Sequence, residues 1–287
     1  MLESNNSKSI QNKLTFIKGT NIPLPSLVEI SNSGMCNRKC SFCPRSDPDY
    51  PDINEFFSDK LHTKLCTQLS ECGFEGVYAY AGFNEPLLHK KIYKHIKEAR
   101  KFLPNARIEV ITNGDVLSTT RIKKLIDAGL TTLSISAYDG LEQAEEYQKM
   151  CEDVKLRKDQ FIVRHRYLPP EENFGINLTN RGGTMKNAVY KINSLDTAIK
   201  ESCYYPSYDF FVDYNGDILM CSHDWAKKNI LGNLTKQSFI DIWTSEKAKT
   251  SRQKLYEAKR SFAPCNVCNA KGDHVGPEHV KAWKNFY

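Results

Sequence analysis

Three cysteines near the N-terminus have a spacing that suits iron–sulfur chemistry. Cys36, Cys40 and Cys43 form a C-x3-C-x2-C triad directly after the first strand-like run. Three thiolates this close can hold three irons of a [4Fe–4S] cube and leave the fourth iron open to a small chelating ligand. A structural cluster, or a zinc site completed by a distant residue, is the alternative. Zinc sites, however, usually pair their cysteines as C-x2-C.

A second group of cysteines lies in the C-terminal third of the chain. Four thiolates can saturate either one iron–sulfur cluster or one zinc ion, and the spacing alone leaves both possibilities open. The four residues are Cys203, Cys221, Cys265 and Cys268.

The other three cysteines are isolated in the sequence. Cys66 and Cys72 lie in a helix-like stretch and are predicted to be core residues. Cys151 lies in a charged helical segment, where an ordinary structural position competes with one catalytic role. In an epimerase, a free thiol facing the substrate could donate a hydrogen atom, so Cys151 is a candidate for that function.

Composition and charge restrict the class of protein. The N-terminal 20 residues are polar and lack the apolar stretch of a signal peptide, so we expect a cytoplasmic protein with reduced thiols. No run of 18 apolar residues predicts a membrane span. The net charge of +6 is spread along 40 basic and 34 acidic residues, which argues against a nucleic-acid partner.

The elements that must position the first cysteines alternate between strand and helix. Such alternation predicts an α/β fold with a parallel sheet, and about six units suggest a partial (β/α)6 TIM-like barrel. Helical patterns between them include Lys90–Phe102 and Thr119–Ala128. The strand-like runs are Leu27–Ile30, Val77–Ala81, Ile108–Thr112, Thr132–Ser136 and Phe161–Arg166, with a sixth candidate at Phe174–Leu178.

A different pattern begins near residue 190. An Asn-Gly turn between two apolar runs predicts a β-hairpin around Asn215 and Gly216, and a helix is expected at about Gln237–Lys249. We therefore predict an N-terminal extension (1–25), a barrel (26–190) and a small hairpin and helix module (191–287).

The cysteine triad, its aromatic residue Phe42 and the motifs that follow resemble the radical S-adenosylmethionine superfamily. Ala81 to Leu88 resembles the family's Gly-Gly-Glu motif, with Glu85 as the matching acid and Asn84 in place of the second glycine. A carboxylate at the C-terminal end of a parallel strand also lies on the functional face of such folds.

The resemblance implies a set of cofactor contacts. Glu85 would bind the methionine amino group of S-adenosylmethionine, and Asn113 would approach the cofactor after the third strand. Ser134 and Ser136 would contact the ribose, although serines on a strand are commonly without function. Arg164 would bind the cofactor carboxylate, with a surface position as the alternative.

The second cysteine group resembles the twitch module, a short form of the SPASM extension that holds one auxiliary [4Fe–4S] cluster. The matching features are the hairpin before Cys221, the pair Asp224 and Trp225 after it, and Trp243 ahead of the last two cysteines. The resemblance thus implies two [4Fe–4S] clusters and S-adenosylmethionine as cofactors.

The spacing as a whole resembles aminoglycoside-pathway dehydrogenases that oxidise a cyclitol alcohol. It implies hydrogen abstraction from a small sugar-like or cyclitol-like substrate, with the auxiliary cluster as electron acceptor and a flavodoxin or ferredoxin as donor. Arg181, in an Asn-Arg-Gly-Gly turn, is a candidate substrate contact, and Asp224 is a candidate base. The alternatives are a maturase or epimerase acting on a ribosomal peptide, and a zinc-binding protein without catalysis.

Overall fold

The computed structural model describes residues 5–185 and 192–287. The strands are β1 (Leu27–Ile30), β2 (Ser33–Gly34), β3 (Ile53–Phe56), β4 (Val77–Tyr80), β5 (Arg107–Thr112), β6 (Thr132–Ala137), β7 (Phe161–His165), β8 (Asp209–Val212), β9 (Asp217–Leu219) and β10 (Ile230–Asn233). Eight of them form the main sheet, in the order β10-β9-β8-β1-β4-β5-β6-β7, and β2 and β3 form a separate two-stranded sheet.

Nine α-helices accompany the strands in the described part of the chain. They are α1 (Asn5–Asn12), α2 (Asp59–Cys72), α3 (Ile92–Phe102), α4 (Thr119–Asp127), α5 (Leu141–Asp153), α6 (Tyr205–Tyr208), α7 (Phe239–Trp243), α8 (Glu246–Tyr256) and α9 (Pro277–Trp283).

Five predicted strands form the parallel part of the sheet. β1, β4, β5, β6 and β7 pair in parallel, and α2 to α5 connect them in turn. Since right-handed strand–helix–strand units place the C-terminal ends of all strands at one edge, the loops after the strands meet there. The expectation of an α/β partial barrel is confirmed.

The sixth strand differs from the prediction. Phe174–Leu178 was predicted as a strand, which is wrong: Pro170–Gly175 is an irregular 3-10 segment in which Asn173 and Phe174 have φ angles of 50° and 55°. Proline has no backbone N–H to donate to a neighbouring strand, which disfavours strand pairing at the start of this segment. The sixth parallel strand is β8, which pairs with β1 at the opposite edge of the sheet.

The C-terminal elements follow the predicted order, with one break. β8 and β9 form the antiparallel hairpin around Asn215 and Gly216. The single helix expected at Gln237–Lys249 is divided into α7 and α8. The division falls at Ser245, whose side chain accepts a hydrogen bond from the Ala248 amide and caps α8.

One hydrophobic core runs through both parts of the protein. It contains Val28 and Ile108 from the parallel strands together with Phe210, Trp243 and Trp283 from the C-terminal third. The domain division predicted between residues 190 and 191 lies outside the described residues and stays a prediction. No helix in residues 5–185 or 192–287 is both long and apolar enough to cross a bilayer.

Candidate active site

The predicted cofactor residues meet at the edge where the parallel strands end. A cavity of about 270 Å³ opens between the loops that follow β1, β4 and β5 and the ends of β6 and β7. Most of the residues that the sequence nominated for the cofactor and the first cluster line this cavity: Cys36, Cys40, Phe42, Cys43, Glu85, Asn113, Ser136 and Arg164.

Two arginines fix the loop that carries the cysteine triad. Arg38 forms ion pairs with Asp115 and Asp139, both at 2.5 Å, and thereby ties the loop to the segments after β5 and β6. Arg45 is 5% exposed and donates hydrogen bonds to the carbonyl oxygens of Phe83 and Gly34. The triad is therefore held from two sides by charge-assisted contacts.

Burial disfavours the thiolate form of the cysteine triad. The thiols of Cys36, Cys40 and Cys43 are free and half-buried. Burial raises the pKa of each thiol, and the charges of the neighbouring thiols add to the rise at Cys40, whose pKa reaches about 12. A bound metal cluster would favour the thiolate form.

Glu85 provides a buried carboxylate on the cavity wall. It is 1% exposed and accepts hydrogen bonds from the Thr112 hydroxyl (2.6 Å) and from the amides of Asn113 (2.7 Å) and Leu87 (2.9 Å). Burial raises the pKa of Glu85 to about 7, although these three donors oppose the shift. A cationic ammonium in the cavity would favour the ionised form.

Asn113 and Phe42 are each held by a second contact. The Asn113 side chain donates to the Asn37 side chain at 2.8 Å, and the Asn113 backbone carbonyl oxygen accepts from the Tyr147 hydroxyl at 3.2 Å. Phe42 packs against Tyr138, with ring centroids 5.8 Å apart. These contacts orient both residues beside the cysteine triad.

The two serines of β6 have different surroundings. Ser136 lines the cavity, and its contact with the ribose stays a prediction. Ser134 does not line it: the side chain is fully buried, and its hydroxyl donates to Glu109 at 2.7 Å. Ser134 precedes Ser136 by two residues on the strand and therefore lies one layer deeper in the barrel. The predicted ribose contact of Ser134 is not supported.

Arg164 belongs to both the cavity and that deeper layer. Its guanidinium lies 3.7 Å from a carboxylate oxygen of Glu109 and donates to Ser134 at 3.4 Å. Glu109 also forms an ion pair with Arg107 at 3.3 Å. Contact between Arg164 and a cofactor carboxylate stays a prediction.

The second cysteine group forms a buried cluster of thiols. Arg260, which is 2% exposed, donates to the carbonyl oxygens of Glu201 and Ala270 and so joins the loops that carry the first and last of these cysteines. Burial raises the pKa of all four thiols, and the Arg260 charge opposes the rise at Cys203 and Cys265. The four thiols, each 5–8% exposed, are Cys203, Cys221, Cys265 and Cys268.

A short loop connects the two cysteine groups. The Asn180 side chain is fully buried and donates to the Val267 carbonyl oxygen at 2.6 Å, between the last two cysteines. The Gly182 amide donates toward the Cys268 thiol and opposes the rise in its pKa. Between them, Arg181 lines the cofactor cavity and a second cavity of about 340 Å³ that includes His223.

Two predicted catalytic residues lie outside this site. Asp224 is fully buried, and its carboxylate oxygens accept hydrogen bonds from the amides of Lys228 (2.9 Å) and Asn229 (2.7 Å), so it organises the turn after Cys221. Cys151 is fully buried in the hydrophobic core beneath α5, where its side chain cannot reach a substrate in the cavity. Neither position suits the catalytic role that the sequence suggested.

The structure also reveals an acidic residue that the sequence analysis overlooked. Glu29, in the otherwise apolar strand β1, lines the cavity together with Arg181. Asp209 begins β8 on the adjacent strand and is 2% exposed. The sequence did contain a signal for Glu29: it is a charged residue within an apolar run of a parallel sheet, whose strands are usually buried on both faces.

Comparisons with known sequences agree with this geometry. Residues 30–168 match the Radical SAM superfamily, and residues 203–269 match the SPASM family, an iron–sulfur cluster-binding domain. The S-adenosyl-L-methionine-dependent 2-deoxy-scyllo-inosamine dehydrogenase of Niallia circulans is 27% identical over 245 residues, which cover 85% of this chain and 92% of that protein.

Solved structures give the same result. The crystal structure of BtrN in complex with AdoMet and 2-DOIA is similar at a TM-score of 0.71 and 26% identity, over 87% of this chain and 94% of that one. Native anSMEcpe with bound AdoMet has a TM-score of 0.54 at 13% identity, over 91% and 96% of the two chains, and shares the fold. The chain thus contains a Radical SAM domain at residues 30–168 and a SPASM domain at residues 203–269.

The superfamily assignment accounts for both cysteine groups. This radical S-adenosylmethionine enzyme binds S-adenosylmethionine and an iron–sulfur cluster in its barrel. Residues 203–269 form an iron–sulfur cluster-binding domain. The alternative of a zinc-binding protein without catalysis is wrong. The open triad, Glu85 and the cavity beside them are the parts that such an enzyme requires.

Proposed function

We propose that this enzyme uses two [4Fe–4S] clusters to dehydrogenate a hydroxyl group of a small cyclitol-like or sugar-like substrate. The observation that carries the proposal is the Asn180–Gly183 loop. It presents Arg181 to the cofactor cavity and, through Asn180 and Gly182, contacts the loop of the second cysteine group. Substrate and electron acceptor would thus lie on opposite sides of one short segment.

Each part of the cavity has a separate task in this proposal. Cys36, Cys40 and Cys43 would hold the first cluster and leave one iron for the cofactor, whose amino group Glu85 would bind. When bound, the cluster and S-adenosylmethionine supply a 5′-deoxyadenosyl radical that removes a hydrogen atom from carbon. Arg181 would orient the substrate oxygen through its guanidinium.

Four cysteines in the second group favour a cluster that is fully ligated by protein. Such a cluster has no open iron for the substrate, which suits an electron acceptor rather than a substrate-binding centre. Their buried positions, 5–8% exposed, also protect an electron-transfer site from solvent. This arrangement supports the proposal of a second [4Fe–4S] cluster.

The substrate class comes from the relative in Niallia circulans, whose name specifies 2-deoxy-scyllo-inosamine as its substrate. The cavity contains three charged side chains, Glu29, Arg164 and Arg181, which can hydrogen-bond the hydroxyl groups of a polyhydroxylated ring. We further propose a flavodoxin or ferredoxin as the electron donor. A cytoplasmic location is also proposed, because none of the ten cysteines is paired in a disulfide.

The test is an anaerobic reconstitution followed by two product assays. We expect about eight irons per chain, and we expect both 5′-deoxyadenosine and an oxidised product with 2-deoxy-scyllo-inosamine as the probe substrate. Cys36→Ala should abolish both products. Cys268→Ala should abolish the oxidised product and retain 5′-deoxyadenosine. About four irons with full oxidation would contradict the electron-acceptor role, and 5′-deoxyadenosine formation without oxidation of cyclitols would contradict the substrate class.

A further inference from the structure

We propose that Glu29 and Asp209 form a carboxyl pair that shares one proton, and that Glu29 is the base that accepts the substrate hydroxyl proton during dehydrogenation. This inference rests on the proposed function. It assigns a residue to the removal of the hydroxyl proton, the step for which the sequence suggested Asp224 as the base. The structure engages both oxygens of Asp224 with backbone amides and places it away from the cavity.

The strand register brings the two carboxyls to the same part of the barrel. β1 and β8 are parallel neighbours, and Leu27 lies opposite Asp209. Because side chains alternate along a strand, Glu29 projects on the same side as Leu27, one layer nearer the C-terminal edge. Glu29 is half-buried and lines the cavity, whereas Asp209 lies below it and is 2% exposed.

Asp209 lacks the contacts that normally stabilise a buried carboxylate. Neither of its oxygens has a hydrogen-bond partner in residues 5–185 and 192–287. Ser222 is near enough to lower its pKa slightly, but does not meet hydrogen-bond geometry. An isolated buried carboxylate is so costly that the group takes up a proton instead. Burial and the charge of Glu29 accordingly raise the pKa of Asp209 well above its ordinary value.

Glu29 has a mixed electrostatic environment that suits a base. Burial is the main cause that raises its pKa, and the charge of Glu109 adds to the rise. Arg181 and Arg164 act in the opposite direction. Two tyrosines also face the pair: the charge of Asp209 helps to raise the pKa of both Tyr205 and Tyr208, and the charge of Glu29 adds to the rise at Tyr208.

The sign of these effects defines the working state. Asp209 keeps its proton at neutral pH, and Glu29 is the member that ionises as the pH rises. A carboxylate with a raised pKa is a stronger base than an ordinary glutamate. Its pKa is also closer to the value that general base catalysis requires. Arg181, across the cavity wall, stabilises the substrate oxygen while the proton leaves.

The step balances in atoms and electrons. The carbinol C–H bond breaks, and its hydrogen atom passes to the 5′-deoxyadenosyl carbon. The O–H bond then breaks, and its proton passes to a carboxylate oxygen of Glu29. The remaining unpaired electron passes to the auxiliary cluster of the proposed function, and the carbon and oxygen are left joined by a double bond.

The first test is Glu29→Gln, which keeps the shape and removes the base. At saturating 2-deoxy-scyllo-inosamine we expect kcat for the oxidised product to fall by about 10²-fold or more. Glu29→Asp should restore part of kcat. Iron content, S-adenosylmethionine binding and the thermal midpoint establish that the variant is folded. An increase in KM alone would assign Glu29 to substrate binding and overturn the proposal.

The second test separates the pair from a lone glutamate. In Asp209→Asn the acidic limb of the kcat profile should move to higher pH by about one unit, because the Glu29 carboxylate loses the neutral acid that shares its proton with it. An unmoved limb would overturn the pair.

A third measurement does not depend on turnover. Infrared spectra of the loaded enzyme without substrate should show a protonated carboxyl band at pH 8 that is absent in Asp209→Asn. If no cyclitol is oxidised, the proposed function fails while this band still reports on the pair. A band that persists in Asp209→Asn would contradict the pair whatever the substrate is.

Discussion

At the scale of single residues, Glu85 shows how burial and hydrogen bonding are balanced in the cofactor cavity. Three donors hold its carboxylate, yet desolvation outweighs them and leaves the pKa at about 7. A carboxyl in this state is ready to gain one more cationic partner, and the ammonium of S-adenosylmethionine would supply it.

We predict that S-adenosylmethionine binds more tightly at pH 8 than at pH 6, because the Glu85 carboxylate forms as the pH rises through 7. Glu85→Gln should weaken binding by about 10- to 100-fold at pH 8, as expected for a lost charged hydrogen bond, and should flatten the pH dependence. Equilibrium binding to the reconstituted enzyme measures both effects. The exposed Glu75→Gln is the matched control; an equal loss there, or unaltered binding in Glu85→Gln, would contradict the prediction.

At the scale of elements, the Asn180–Gly183 loop is the connection between the barrel and the second cysteine group. Gly182 has a φ angle of +64°, and an added Cβ would lie 2.7 Å from the His223 carbonyl oxygen. A side chain at this position would therefore displace either the loop or the segment after Cys221. The loop geometry is dictated by this close backbone approach and by the Gly182 contact with Cys268.

Gly182→Ala should therefore disturb the second cluster and spare the first. We expect iron content to fall from about eight toward about four per chain, with 5′-deoxyadenosine formation retained and substrate oxidation lost. Gly19→Ala is the control, since Gly19 also has a positive φ angle of +77° but has open space around an added Cβ. Normal iron content and normal oxidation in Gly182→Ala would show that the loop does not support the second site.

At the scale of the whole molecule, the two predicted parts are joined by a shared sheet and a shared core. β8 covers the edge of β1, so the barrel strand that precedes the cysteine triad is an internal strand only when the C-terminal part is present. Arg252 contributes to the joint: its guanidinium lies 3.9 Å from the ring centroids of both Trp243 and Trp283. Apolar burial and strand pairing thus cross the predicted boundary.

A fragment of residues 1–185 should for that reason fail to fold as an isolated barrel. Removing β8 would expose the β1 edge and the apolar surface that Phe210, Trp243 and Trp283 cover, which favours aggregation. Expression, sedimentation and iron reconstitution of the fragment beside the full chain measure the effect. A monomeric fragment that binds about four irons and cleaves S-adenosylmethionine would contradict it.

The sequence by itself determined the chemistry and the order of the elements. The C-x3-C-x2-C triad and the four later cysteines follow from residue type and spacing, which the local sequence contains directly. Glu85 follows from its resemblance to the Gly-Gly-Glu motif of the superfamily. Five parallel strands and the hairpin also follow, because strand periodicity and an Asn-Gly turn are local properties. The prediction of a strand at Phe174–Leu178 was wrong, because the neighbouring prolines and the residues with left-handed backbone conformation outweigh the apolar pattern.

Only the tertiary structure decided which polar residues face the cavity. Ser134 and Ser136 are alike in sequence, yet one layer of the barrel separates a buried partner of Glu109 from a residue of the cavity wall. Glu29 and Asp209 are 180 positions apart and become neighbours because β8 pairs with β1. Pairing between distant strands depends on how the whole chain buries its apolar surface, and no local pattern contains that information.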